Sequence, residues 1–318
     1  MKIVFMGTPD FAVPSLRILV ENGHEVVGVV TATDKWGGRG KKTLLESPVK
    51  RYAIEQGIPV LQPEKFKKGT FIEDLRALGA DLQIVVAFRM LPEVVWDMPP
   101  LGTYNLHGSL LPKYRGAAPI NWAIINGEME TGVTTFKITH EIDTGDLLFQ
   151  EKIPIGENET AGELHDRMMF VGAELVLKTV QEIEKGEVVL KHQDESQACP
   201  APKIYRETCE IDFNQPTQKV HDFIRGLSPY PGAWTQLNGK QLKVLRAEKE
   251  ITDHDYEVGT WHSDKKRYLK VATQDGFVRL LELQLQGKKR MDVRSFLNGN
   301  VLMIECLPPD RNEGGRED

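Results

Sequence analysis

The stretch Lys2-Ile3-Val4-Phe5-Met6-Gly7-Thr8-Pro9-Asp10, with Glu25-Val26-Val27-Gly28-Val29-Val30 one helix-length later, decides the fold class. The first apolar run ends on glycine and reads as a short buried strand. Thr8 or Asp10 can cap a helix whose apolar positions are Phe11, Ala12, Leu16, Leu19 and Val20, and Gly23 ends it. Residues 25–30 form a second buried strand. Strand, helix and strand at this spacing predict an α/β, doubly wound, mostly parallel sheet with right-handed crossovers. A dinucleotide turn would need three glycines, so that backbone can approach a pyrophosphate. Only Gly7 stands in this turn and Asp10 would repel a phosphate, so no nicotinamide cofactor is expected.

Moving outward, Ser47 to Gly57 reads as a helix with Pro48 in its first turn, Ile58–Leu61 as a strand, and Phe71–Gly79 as a helix. Leu82–Phe88 is a buried strand, and Thr103-Tyr104-Asn105-Leu106-His107 a second that stops at Gly108. Side chains two apart on a strand share a face, so Asn105 and His107 point the same way at its carboxyl end. An amide that donates to an oxyanion beside an imidazole that moves a proton suits chemistry at a carbonyl; a histidine that only satisfies a turn is the plainer alternative. Asp143, in Ile142-Asp143-Thr144-Gly145-Asp146, reads by itself as a turn residue. Thr160-Ala161-Gly162-Glu163 is a capping box opening a long amphipathic helix that Gly186 ends.

A chain of 318 residues suggests two domains, and 40% hydrophobic with 27% charged residues fits a globular protein with a sizeable core. The absence of a cationic leader, of a bilayer-length apolar run and of paired or CxxC-spaced cysteines points to a cytoplasmic protein without membrane partners and without a metal site. The net charge of −6 argues against a general nucleic-acid-coating protein. Residues 210–309 nevertheless hold 15 Lys+Arg against 13 Asp+Glu, a local balance of +2.

Between Thr31 and Ser47 lies a loop, Lys35-Trp36-Gly37-Gly38-Arg39-Gly40-Lys41-Lys42 at its centre, which is either a solvated connection or a basic finger for phosphates. Trp36 would stack on a base or pack down on the domain. Gln193–Pro202 is polar with two prolines and reads as part of a linker over 191–209. Beyond it, short alternating strands at 234–237, 242–245, 269–272 and 278–281, with Asn238-Gly239 and Asp275-Gly276 turns, predict a small OB-like β-barrel over 210–307. Lys288, Lys289 and Arg290 form either a solvated basic turn or a phosphate contact. The tail 308–318 is charged, Gly-rich and expected to be disordered.

The run from Asn105 through Ser109-Leu110-Leu111-Pro112-Lys113-Tyr114-Arg115-Gly116-Ala117-Ala118-Pro119, the Ile142–Asp146 turn and the Gly7–Ala12 opening resemble the folate-dependent formyltransferases, in particular those whose acceptor is methionyl-initiator tRNA. The resemblance covers nearly the whole chain. It implies a Rossmann-like catalytic domain over 1–190, and 10-formyltetrahydrofolate as co-substrate with tetrahydrofolate as product. It further implies catalytic roles for Asn105, His107 and Asp143, with Asp143 favouring the charged imidazole. Ser109, Leu110, Leu111, Pro112, Phe88 and Met90 would hold the folate. Arg39, Lys41, Lys42, Lys288, Lys289 and Arg290 would meet tRNA, and the enzyme would act as a monomer. Many members carry Tyr-Gly where this chain has Phe88-Arg89, so a long side chain stands where backbone should approach the pterin. A small-amine acceptor, glycinamide ribonucleotide or an amino sugar nucleotide, is the alternative, although it needs neither the basic loop nor the extra barrel. A noncatalytic RNA-binding module would have no use for the three polar residues.

Overall fold

A computed structural model of the chain describes residues 1–37, 40, 42–66, 69–186 and 188–299; Arg39, Lys41, Cys306 and the expected tail at 308–318 lie outside the described residues. The chain runs β1 (Lys2–Gly7), α1 (Val13–Glu21), β2 (Glu25–Val30), β3 (Lys35–Gly37), β4 (Thr43–Leu45), α2 (Pro48–Glu55), β5 (Val60–Leu61), α3 (Phe71–Ala77) and β6 (Leu82–Val86). It continues with α4 (Glu93–Trp96), β7 (Thr103–His107), β8 (Arg115–Gly116), α5 (Pro119–Ile125), β9 (Glu130–Lys137), β10 (Leu147–Pro154), α6 (Ala161–Lys185) and β11 (Pro200–Ala201). Then follow α7 (Thr217–Gly226), β12 (Ala233–Leu237), β13 (Lys240–Ile251), β14 (Trp261–Ser263), β15 (Leu269–Ala272), β16 (Gly276–Leu285), β17 (Met291–Asp292) and α8 (Val293–Gly299).

Two compact units result. The first comprises residues 1–119, 130–154 and 165–202. Its seven-stranded sheet has the order β10-β9-β7-β6-β1-β2-β5, parallel from β7 to β5 and antiparallel at β9 and β10. The central strands are largely apolar: every residue of β6 is buried, and its polar member Gln83 accepts from the Thr103 hydroxyl. The strand order reverses at β1, with β2 on one side and β6 on the other, so the carboxyl ends of β1, β6 and β7 adjoin the switch point where open α/β sheets bind ligands. Gly7 ends β1 for a packing reason. A Cβ there would lie 2.8 Å from the Ala12 Cβ and 3.1 Å from the Val86 carbonyl oxygen.

The loop expected at 31–47 is in part a hairpin. β3 pairs with β4, Trp36 opposite Leu44, and Trp36, Leu44 and Leu45 are exposed. Its base is tied down: Lys50 pairs with Asp34 and Glu46, Gln62 donates to the Ala32 carbonyl, and Ser47 caps α2 by accepting the Lys50 N–H. In the stretch read as linker, Pro200–Ala201 pairs in parallel with Arg115–Gly116.

The second unit comprises residues 120–129, 155–164 and the chain from Lys203 onward. Its antiparallel sheet follows the path β12-β13-β16-β15-β14, with β17 on β16. Register shifts between Val244 and Ala247 bend β13, and no pairing joins β12 to β14 among the described residues. The OB-like domain is therefore a curled half-barrel. Asn238 and Gly239, at φ of 50° and 70°, supply the two left-handed residues of the tight turn from β12 to β13. The short segments from the N-terminal half belong here because α7 holds them: Asn121 donates to the Gly226 carbonyl, and the buried Arg225, paired with Asp222, donates to the carbonyls of Gly156 and Glu159.

His221 on α7 is 1% exposed, and burial, aided by the Arg225 charge, pushes its imidazole below the ordinary 6.5. The unfolded chain takes up a proton near pH 6.5 that the folded chain refuses. The stability linked to this group is therefore present above that pH and lost as pH falls below it. Urea midpoints at pH 7.5 and 5.5 are expected to fall for the natural chain and to level off in His221→Phe. No slope at all would mean that the folded protein accommodates the charge.

Candidate active site

β7 delivers Asn105 and His107 to the carboxyl edge of the first unit's sheet, beside the end of β6. The period of two holds: Tyr104 and Leu106 are buried in the core, His107 is buried at 6% exposure, and Asn105 is half-buried. His107 Nε2 lies 2.8 Å from the carbonyl oxygen of Tyr114. A carbonyl only accepts, so Nε2 carries the hydrogen and Nδ1 is left to the site. Nδ1 lies 3.7 Å from Asp143 Oδ2, although 36 positions separate the two residues in the chain. That gap allows charge attraction without a direct hydrogen bond. Oδ2 instead accepts the Gly116 backbone N–H at 2.9 Å. Asp143 itself sits at φ 56°, a left-handed position that aspartate tolerates better than most residues.

The side chains of the turn after β7 point in different directions. Ser109 is fully buried and its hydroxyl donates to the Lys113 carbonyl at 2.6 Å, closing the turn. Leu111 packs in the core with Phe136 and Leu147, and Pro112 is buried beside it. Thr134 and Gln150 hold this segment by its backbone, at the Ser109 and Leu111 carbonyls. Leu110 is the half-buried member and leans over Gly132. The sequence pattern marks the turn but not which of its side chains turn inward.

After β6 the backbone turns left-handed at Ala87 (φ 47°), where a non-glycine residue is strained by about 1 kcal/mol or more. Phe88 is half-buried and Met90 is 71% exposed in the loop that follows. The long side chain at Arg89 does not crowd this loop. Its guanidinium lies 4.1 Å from the Phe66 ring centroid and donates to the Glu64 carbonyl at 2.9 Å and to the Pro63 carbonyl. Arg89 thus staples residues 63–66 to the loop. Arg89→Ala is expected to lower stability by about 1 kcal/mol, the size of one cation–π contact, read as a fall in the urea midpoint. An unchanged midpoint would contradict the staple.

Among the basic positions, Lys42, Lys288, Lys289 and Arg290 are exposed, while Arg39 and Lys41 lie outside the described residues. Arg290 is already ion-paired with Glu282, which holds its guanidinium proton more tightly and offsets its charge toward an anionic partner. Trp36 is 65% exposed, which removes the packed-down alternative for its side chain. Sequence reasoning passed over Gln193, Arg115 and Glu195, which surround the Asp143 turn. Two of them fall in the polar stretch read as linker, where no spacing distinguishes them.

Among the described residues no helix is long and apolar enough to cross a membrane, and no group of three or more His, Cys, Asp and Glu is placed to hold a metal ion. The formyl transferase family model matches residues 1–180, and the model of that family's C-terminal domain matches residues 203–301. The methionyl-tRNA formyltransferase of Parabacteroides distasonis is 57% identical over 309 residues, 94% of this chain and 95% of that one. That of Bacteroides thetaiotaomicron is 54% identical over 308 residues, with the same coverage of each chain. Among solved structures, the sugar 3N-formyl transferase WlaRD, in the presence of dTDP and 5-N-formyl-THF, aligns over 91% of this chain and 99% of its own with TM-score 0.67 at 21% identity. The methionyl-tRNA formyltransferase from Clostridium thermocellum aligns over 79% and 94% with TM-score 0.55 at 16% identity. These two share the fold. Family models spanning both units, together with relatives more than half identical from end to end, mean that the chain belongs to the methionyl-tRNA formyltransferases of the formyl transferase family.

Proposed function

We propose that this chain transfers the formyl group of 10-formyltetrahydrofolate to the α-amino group of methionyl-initiator tRNA, releasing tetrahydrofolate, in the initiation of protein synthesis in the cytoplasm. The observation that carries this reading is the 54–57% identity, over 94% of the chain, to proteins named for that reaction. The site geometry supports the chemistry. An α-amino group titrates near pH ~8, so a useful fraction is neutral and attacks the formyl carbon without a strong base. The Asn105 amide N–H donates to the oxygen that becomes negative in the tetrahedral intermediate. His107 Nδ1 takes the proton shed by the attacking amine while Nε2–H stays on the Tyr114 carbonyl. Asp143 Oδ2, 3.7 Å away, faces the positive ring. The same proton then passes to the folate nitrogen as its bond to the formyl carbon breaks and the new amide remains.

In this reading Phe88, Met90, Leu110 and the 109–112 backbone border the folate. Arg39, Lys41, Lys42, Lys288 and Lys289 meet tRNA phosphates, with Arg290 contributing less because Glu282 competes for it. Domains at 1–190 and 210–307, joined by 191–209, form a monomer in which the first carries the folate chemistry and both meet tRNA. The test is incubation with labelled 10-formyltetrahydrofolate and methionyl-initiator tRNA, beside glycinamide ribonucleotide and an amino sugar nucleotide. Label on the tRNA is the expected result; label only on a small amine would overturn the acceptor.

A further inference from the structure

Gln193 is a side chain of the first unit whose hydrogen-bonding capacity is fully used around the Asp143 turn. It is 3% exposed. Its Nε2 donates to the Asp143 carbonyl at 2.8 Å and to the Gly145 carbonyl at 2.8 Å, bracketing Thr144. Its Oε1 accepts from Arg115 Nε at 3.1 Å and Nη2 at 2.7 Å. The partners dictate the amide's orientation, since carbonyls only accept and a guanidinium only donates. Arg115 is held in turn by Glu195, which receives Nη1 at 2.8 Å and Nη2 at 2.6 Å. That pairing raises the guanidinium's already high proton affinity, so it stays a donor throughout.

Arg115 also fixes the second grip. The next peptide N–H, of Gly116, is the one that binds Asp143 Oδ2, and β8 is fastened by its pairing of Arg115 with Pro200 and Gly116 with Ala201. A Cβ on Gly116 would stand 2.6 Å from the Ala201 carbonyl oxygen, so the strands meet as closely as glycine permits. The Asp143 turn is thus held at its carboxylate by Gly116 of β8 and at its backbone by Gln193, whose amide oxygen the Arg115 side chain anchors. A buried amide polarised by a guanidinium is also a stronger donor than one in water.

We infer that Gln193, seated on the Arg115–Glu195 pair, is a positioning residue that sets where the Asp143 carboxylate stands relative to His107. The inference rests on the reading of Asp143 as part of the formyl-transfer site and names a residue that acts through it. Gln193→Met keeps the volume and removes both donors. Gln193→Glu keeps the shape and the pairing with Arg115 but turns lone pairs toward two carbonyls. Since a displacement of about 1 Å costs on the order of 10²-fold, both variants are expected to lower kcat about 10- to 100-fold, with both KM values within about twofold.

The deciding measurement is a double-mutant cycle in the full-length enzyme with methionyl-tRNA as acceptor. If Gln193 works only through Asp143, then Asp143→Asn/Gln193→Met is no slower than Asp143→Asn alone. Losses that multiply would overturn the inference, as would near-natural turnover in Gln193→Met while Asp143→Asn is slow, or near-natural turnover in Asp143→Asn. Amide hydrogen exchange over residues 141–146 supplies a readout independent of the substrate. It should quicken in Gln193→Met even if the natural enzyme were to formylate no tRNA, a result that would defeat the proposed function and not the clamp. Unchanged exchange there would overturn the clamp.

Discussion

His107→Ala is expected to lower kcat for formyl transfer by about 10²–10⁴-fold, the usual contribution of a placed proton-transfer group. Asn105→Ala is expected to lose about 10²–10³-fold, as when one oxyanion donor is removed. Both groups interact with charge that exists only on the way to product, so KM for tRNA and folate should stay close to natural values. The two variants separate by structural cost. His107 is buried and its Nε2–H is bonded to the Tyr114 carbonyl, so alanine there also removes a buried hydrogen bond worth about 1 kcal/mol. Asn105 is half-buried, and alanine there should leave thermal stability nearly unchanged. Steady-state kinetics at saturating substrates, with melting curves, measure both. Turnover within tenfold of natural in His107→Ala would remove the histidine from the proposed chemistry.

Gly145→Ala carries the largest expected effect outside the three polar residues. A Cβ at this position would stand 1.7 Å from the Lys137 carbonyl oxygen and 3.2 Å from the Phe136 ring. The obstacle is backbone, and it cannot rotate away: the Lys137 N–H is bonded to the Asp146 carbonyl at 3.0 Å, which zips the end of β9 against this turn. The turn must therefore shift, taking along Asp143 two residues earlier and the Gly145 carbonyl that Gln193 holds. Overpacking of this kind costs about 1–3 kcal/mol, and the displaced carboxylate should lower kcat by about 10²-fold. Gly186→Ala is the control. It has φ 75° but meets nothing within 4 Å, so it should cost about 1 kcal/mol of stability and no activity. Equal activity in the two variants would mean that the Asp143 turn tolerates the shift.

Local rules carried much of the architecture. The alternation of strands and helices, Gly7 and Gly23 at element ends, the Ser47 cap with Pro48 behind it, and the Asn238-Gly239 turn all act within a few residues, and each element they announce is present. α7 escaped the reading because its buried face includes His221, Asp222 and Arg225, charged or polar types that conceal an apolar stripe. The hairpin at 35–45 escaped it because three glycines and a run of cations resemble an unstructured loop, while the cross-strand pair Trp36–Leu44 that marks it is exposed.

The site divides along the same line. Asn105 and His107 are neighbours by the period of a strand, a property of five consecutive residues, so the sequence alone determined that an amide and an imidazole share a face at a strand's carboxyl end. Only the tertiary structure decided that Asp143 lies 3.7 Å from that imidazole, that Ser109 and Leu111 turn inward while Leu110 does not, and that Gln193 closes over the turn. Those outcomes depend on which strands become neighbours in the sheet and on how chain segments 36 to 50 residues apart compete for the same few donors and acceptors. No pattern within a short window encodes that competition; the closed fold settles it.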